Sequence, residues 1–232
     1  MKRFYTNVSL VEAPGGWQVA LDGRGVKTQG QRPQVVPSRA LGEALAAEWR
    51  EQGEIIDPKA FLFRDHADYA IDVVAEDRAA AIEKLLAFAE TDTLCYRADP
   101  DEALYRRQEE AWEPLLGHLE EKLGVAFQRV SGVMHKPQLP STIAALRHHL
   151  GSLDSFTLAG MSAMASLSAS LAVALLANDE AINDPMALWR DACLEEEFQA
   201  DLWGRDAEAE AVRDIRADDF SAAQVFVALA RD

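Results

Sequence analysis

Two periodicities divide the chain unevenly. From residue 4 to residue 36 the apolar positions follow a strand-like pattern: "FYTNVSLVE" is rich in aromatic and β-branched residues, and "APGG" then makes a turn. "WQVAL-DGRG-VKTQ" predicts a hairpin with Asp22-Gly23 at its centre, and Val35 and Val36 lead to Pro37. The period then changes. Ser38 is placed to cap a helix through "RALGEALAAEWREQ", which Gly53 stops. Leu41, Leu45 and Trp49 share one stripe of that helix.

After "EIIDP" nearly everything is helical in pattern. "AFLFRDHADYAIDVV" is one segment, "EDRAAAIEKLLAFAETDTLCY" a second, and "DEALYRRQEEAWEPLLGHLEEKLG" a third that Gly124 ends. "STIAALRHHLGS" is a fourth, with Ser141 as its expected cap. A fifth runs from Phe156 to Ala177, and a sixth carries "LEEEFQADLWGRDAEAE". "SAAQVFVALAR" closes the chain as an amphipathic stretch. The predicted architecture is α+β, with a small β-rich N-terminal domain with one helix (1–57) and a larger all-α C-terminal domain (58–232). No internal repeat or low-complexity tract interrupts it.

Charge narrows the function classes. The formal net charge is −16, so phosphate backbones and anionic lipid surfaces are repelled, and neither nucleic acid nor a membrane is an expected partner. "FTLAGMSAMASLSASLAVALLA" is uncharged and long enough to span a bilayer, but it is built mainly of small residues without basic flanks. It therefore predicts a buried central helix, not a membrane insertion. The cysteines, Cys95 and Cys193, form no C-x-x-C and are expected as buried free thiols. "MKRFYTNVSL" has neither the apolar stretch of a signal peptide nor the pattern of a transit peptide, which predicts a cytoplasmic location.

Common chemistries find little footing. "DGRGVK" and "APGG" lie between strands, and there is no phosphate-binding glycine motif. The histidines, His66, His118, His135, His148 and His149, lack metal-ligand spacing, and no G-x-S-x-G occurs. No metal, cofactor or small-molecule substrate is expected.

The late helix raises a sharper question. On a helical wheel Leu194, Phe198 and Leu202 make an expected core stripe. Trp189, Ala192, Glu196, Ala200 and Trp203 lie opposite, with Glu195 and Gln199 at the border. Two tryptophans then occupy the side that should meet water. Glu196 suits a structural role, accepting from an indole N–H, Arg190 or Arg205. It also suits recognition of a basic partner with tryptophan as anchor, or acid–base chemistry with a second group that the sequence does not place.

Five segments in order, "AAEWREQ", "TDTLCYRA", "QEEAWEPLL", "SLDSFTLAG" and "LEEEFQADLWGRDAEAE", give the chain a resemblance to the ATP12 family of assembly chaperones for the F1 part of ATP synthase. The resemblance covers nearly the whole chain. It implies a non-enzymatic protein without cofactor that binds the unassembled F1 α subunit and shields its apolar interface until β replaces it. It also implies a bacterial member of the family. An acidic residue before the "FQ…WG" signature is functionally important in the family, and Glu195 and Glu196 both match that neighbourhood. The partner-binding residues expected on this basis are Glu195, Glu196, Gln199 and Trp203, with Trp49 supporting the N-terminal helix. The alternatives are a carboxylate- or metal-dependent enzyme and an interaction module for another client protein.

Overall fold

The computed structural model describes residues 1–132, 134–182 and 184–232. Strands β1 (Val8–Ala13) and β2 (Gly16–Leu21) pair antiparallel in full register, from Val8 opposite Leu21 to Ala13 opposite Gly16. Pro14 and Gly15 turn between them, with Gly15 at φ 92°. The next turn uses Asp22 (φ 47°) and Gly23 (φ 80°), the left-handed pair that a two-residue hairpin requires. Asp22 accepts that backbone because its carboxylate receives the N–H groups of Thr6 and Asn7, the latter at 2.8 Å. Strand β3 (Arg24–Gly25) extends the hairpin, and β4 (Val35–Val36) also pairs with β2.

Helix α1 (Arg39–Glu51) begins as expected: Ser38 Oγ accepts from Leu41 N at 3.0 Å. Leu41, Leu45 and Trp49 are all buried. The Trp49 ring lies between Tyr5, edge-on at 5.5 Å, and Phe61, at 4.6 Å. Helix α2 (Leu62–Tyr69) follows a 3-10 turn and runs on as a π-helical turn through Val74. Its start is capped from α1, because the Glu48 carboxylate accepts from Phe63 N at 2.6 Å and Arg64 N at 2.9 Å. Farther along, Asp68 accepts from Gln29 N and Gln34 Nε2. Asp72 accepts from Thr28 Oγ1 at 2.8 Å and Gly30 N at 2.7 Å.

These side chains explain why the compact units depart from the division expected at residue 57. The first unit comprises Met1–Ala81, Asp154–Gly160 and Ala222–Asp232, and the second Ile82–Leu153 and Met161–Ser221. Helix α2, beyond residue 57, is bound to the strand region by the buried Asp68 and the half-buried Asp72, and the C-terminal residues return to the same unit. Ser38 Oγ donates to Leu229 O, and Phe226 lies 5.3 Å from the His66 ring. Gly160 permits this packing, since a Cβ there would fall 2.3 Å from Val227.

The remaining helices are α3 (Arg78–Glu90), α4 (Ala103–Leu123), α5 (Pro140–Ser152), α6 (Ser155–Ser168), α7 (Leu171–Ala177), α8 (Pro185–Ala192), α9 (Leu194–Trp203) and α10 (Ala207–Arg231). Gly124 ends α4 in the left-handed conformation. Three expectations need correction. First, the second predicted helix stops at Glu90, and a 3-10 turn then leads into β5 (Tyr96–Arg97). Strand β5 pairs parallel with β6 (Val130–Ser131), a short ladder in the part expected to be all-α. Second, α5 starts at Pro140 with Leu139 as its cap residue, because proline at the first position needs no N–H partner; Ser141 is not the cap. Third, the helix expected from Phe156 to Ala177 is two helices, broken at Ala169 (φ 51°) and Ser170.

Asp92 causes that break. Its carboxylate accepts from Ser170 Oγ at 2.6 Å, Ala172 N at 2.8 Å and Leu94 N at 3.1 Å, while Ser170 Oγ accepts from Val173 N. The carboxylate thus takes the Ala172 N–H, and Ser170 Oγ the Val173 N–H, that a continuous helix would have bonded to its own preceding turn. Every residue of α7 is buried. Among the described residues no helix is long and apolar enough to cross a membrane. Cys95 and Cys193 are buried free thiols, as expected, and burial pushes Cys193 up to about 11.

Burial also pushes Asp92 and Glu48 up to about 6 against their hydrogen bonds. Their folded-state values lie above the unfolded ones, so the native state holds more protons between about pH 4 and pH 6. Their stabilising contribution is full below that window and is lost as pH rises through 6. The melting temperature is therefore expected to be higher at about pH 5.5 than at about pH 7.5. Asp92→Asn should lower it at both values and flatten the difference. A calorimetric profile that is level or rises with pH over this window would overturn the assignment.

Candidate functional site

The acidic segment is held at both ends. Asp184 Oδ1 accepts from Ala187 N at 3.0 Å to start α8, and Gly204 (φ 97°) stops α9. The segment expected on one helix is divided, since α9 stops at Trp203 and α10 starts at Ala207, and Cys193 separates α9 from α8 before it.

The three consecutive glutamates have three different surroundings. Glu195 points inward: its Oε1 accepts from Gln108 Nε2 at 2.6 Å, and Gln108 is fully buried on α4. The Gln108 side-chain oxygen accepts from Ala98 N at 2.8 Å, so one amide joins three chain segments. Burial raises the Glu195 carboxyl, and the bond from Gln108 opposes that rise. Next to this bridge, Trp112 Nε1 donates to Asp191 O at 2.7 Å and anchors the end of α8.

Glu196 is exposed and pairs with Arg216 of α10 at 3.1 Å. The same guanidinium donates to Leu167 O at 2.8 Å and lies 5.3 Å from the Trp189 ring. Neither Arg190 nor Arg205 is the partner of Glu196. Arg190 pairs with Asp184, and Arg205 with Glu197 at 2.9 Å, Asp201 at 3.0 Å and Glu210 at 3.1 Å. Glu197 and Arg205 thus fasten the end of α9 to the start of α10.

The two tryptophans separate as well. Trp189 is buried against Phe220, 5.3 Å away, and does not meet water. Trp203 is 79% exposed and Leu202 62%. The expected core stripe fails at its last member: Leu194 and Phe198 are half-buried, and Leu202 faces solvent. Gln199 is exposed. On α10, Val212 and Ile215 are exposed large apolar residues too. Trp49, by contrast, is part of the core of the first unit. Its Nε1 has no hydrogen-bond partner among the described residues.

Beside Glu196 an open depression of about 430 Å³ is lined by Asp206, Glu208, Val212, Arg213 and Arg216. Among the described residues no three His, Cys, Asp or Glu side chains lie close enough to hold a metal ion. The arrangement is an acidic, apolar surface with arginine-paired carboxylates, suited to contact with another macromolecule.

Gln108 and Arg216 escape a reading by motif, although Gln108 leaves a trace. It precedes Trp112 by four residues and Leu116 by eight, so a polar side chain occupies the buried stripe of α4. Arg216 leaves none, since its pairing depends on how α10 packs against α9.

Residues 2–120 match the family model described as ATP12 chaperone protein. That stretch is just over half of the chain. The chain belongs to the ATP12 chaperone family. Among solved structures, Atp12 from Paracoccus denitrificans is similar at 36% identity and a TM-score of 0.92, covering 99% of this chain and 98% of that one. A protein from Agrobacterium tumefaciens, described as a candidate chaperone, is similar at 37% identity and a TM-score of 0.92, covering 97% and 85%. The mitochondrial protein atp12 of Schizosaccharomyces pombe is 27% identical over 216 residues, 88% of this chain and 74% of its own length. Helix α9 lies outside the residues matched by the ATP12 model but within the similarity to Paracoccus Atp12, which covers 99% of this chain.

The different surroundings of Glu195 and Glu196 predict different costs. Glu195→Ala strands the buried Gln108 amide and should destabilise the chain by about 1–3 kcal/mol. Glu196→Ala removes an exposed ion pair and should cost less than about 1 kcal/mol. Denaturant unfolding of the two variants checks this, and equal costs would contradict the inward placement of Glu195.

Proposed function

We propose that this ATP12-family chain is a non-enzymatic assembly chaperone of F1 ATP synthase. It holds the unassembled α subunit on the outward side of α9 and on the start of α10 until β replaces it. The observation that carries this reading is Trp203, 79% exposed at a helix end beside an exposed Leu202. A large aromatic side chain open to water and ringed by charge is the composition of an interface anchor. Family membership supports the chaperone role.

Glu196 and Gln199 supply polar recognition around the anchor, Glu195 fixes the helix from inside, and Trp49 supports α1 in its own unit. A stable interface of this kind covers about 1,200–2,000 Å² in total, so Val212, which lines the depression beside Glu196, and the exposed Ile215 three residues on belong to the same contact. An isolated α subunit exposes the apolar surface that β later covers, and a complementary surface can shield it without ATP, cofactor or small-molecule substrate. The bacterial origin of the solved relatives supports a bacterial, cytoplasmic setting.

Co-expression with F1 α tests the proposal, and α should stay soluble only with this chain present. Trp203→Ala should leave stability within about 0.5 kcal/mol, as for a surface residue, and weaken α capture at least about tenfold, as for an anchor. Glu196→Lys should keep its helical content and also lose α. Soluble α in the absence of the chain, or variants that retain α at wild-type levels, would overturn the assignment of this face.

A further inference from the structure

The first unit contains a second feature with the opposite electrostatic character. A half-open cleft of about 590 Å³ lies between the β2–β3 hairpin and the helices α1 and α2. Phe4, Tyr5 and Trp49 form one wall, and Leu21 and Val26 lie on the apolar floor. The wall is rigid: Tyr5 Oη donates to Trp49 O at 2.6 Å, and the Phe4 and Tyr5 rings meet edge-on at 5.4 Å. Phe4 is 61% exposed, so an aromatic edge stands open at the mouth.

The charged groups around this cleft are not balanced. Asp22 and Asp68 line it, but their oxygens already accept from Thr6 N, Asn7 N, Gln29 N and Gln34 Nε2. Arg64 also lines it and pairs with Asp65. Arg24 and Lys27, both exposed, belong to no ion pair among the described residues. Residues 1–37 carry five Lys or Arg and two Asp or Glu, a local excess of positive charge in a chain of net charge −16. Lys27, which meets no carboxylate among the described residues, and Arg24, which acts on Asp22 but lies outside ion-pair distance of it, sit beside an aromatic and aliphatic lining and complement a ligand with a carboxylate next to an apolar side chain.

We propose that this cleft binds an acidic, apolar peptide segment, with the carboxylate at Arg24 and Lys27 and the neighbouring apolar side chain against Phe4, Tyr5 and Trp49. The site is independent of the partner assigned to α9. It takes the opposite charge, and it would stand if α9 met a different client.

Nuclear magnetic resonance of the nitrogen-labelled full chain tests this through the Trp49 indole N–H, assigned by its contacts with the Tyr5 and Phe61 rings. The probes are a short capped peptide with the core Leu-Glu-Phe, its Gln counterpart, and N-acetylphenylalanine as a free small acid. The acidic peptide should shift the Trp49 signal saturably, and the Gln peptide should bind at least about tenfold more weakly. Arg24→Glu with Lys27→Glu, both at exposed positions, should abolish the shift while leaving the rest of the spectrum in place. No shift at millimolar peptide, equal binding of the Gln peptide, or unchanged binding to the double variant would overturn the proposal. Tighter binding of the free acid than of the peptide would overturn the peptide assignment.

Discussion

The Gln108 side chain commits both ends of its amide at once, accepting from Ala98 N and donating to Glu195. It does so at full burial, where an unmade hydrogen bond is costly and a neutral amide can satisfy a carboxylate without a second buried charge. Once Glu195 is drawn inward, the rotation of α9 is set. Its successor lies about 100° around the helix and reaches solvent. Glu196 therefore meets Arg216 at the surface, and Glu197 comes within reach of Arg205 and Arg213. The outward side of the second unit is in this sense a consequence of one interior amide.

Much of the fold was legible because it depends on neighbouring residues. The Asp22-Gly23 turn, the Ser38 cap, the Leu41–Leu45–Trp49 stripe and the Gly124 stop are each decided within a few positions, and each stands as read. What was not legible depends on distant residues. The break at Ala169 and Ser170 is made by Asp92, far back along the chain, and nothing in an uncharged run of small residues announces it. The boundary at residue 57 marked a change of periodicity, whereas the compact units follow Glu48, which holds the start of α2 to α1, and Asp68 and Asp72, which hold α2 to the strand region.

The late helix shows the same limit more sharply. A helical wheel states which residues share a side but not which side is covered. It grouped Leu202 with Leu194 and Phe198, and Trp189 with Trp203. Cys193 interrupts the helix between the two tryptophans, so one period does not run through both. Trp189 then packs on Phe220 while Trp203 stands in water. The acidic character of the segment was readable. The separate surroundings of its three glutamates were not.

An exposed indole beside an exposed leucine invites self-association, and the charge of the chain answers that hazard. A net charge of −16 sets copies of the protein against each other, and the carboxylates around Trp203 place part of that repulsion at the patch itself. Screening at physiological salt confines the effect to roughly 8 Å, the range at which two patches would begin to touch. A partner with basic groups around an apolar surface meets attraction over the same distance. On the proposed function, the acidic rim selects among apolar surfaces by charge, and the tryptophan can stay uncovered in the free protein without pairing with its own kind.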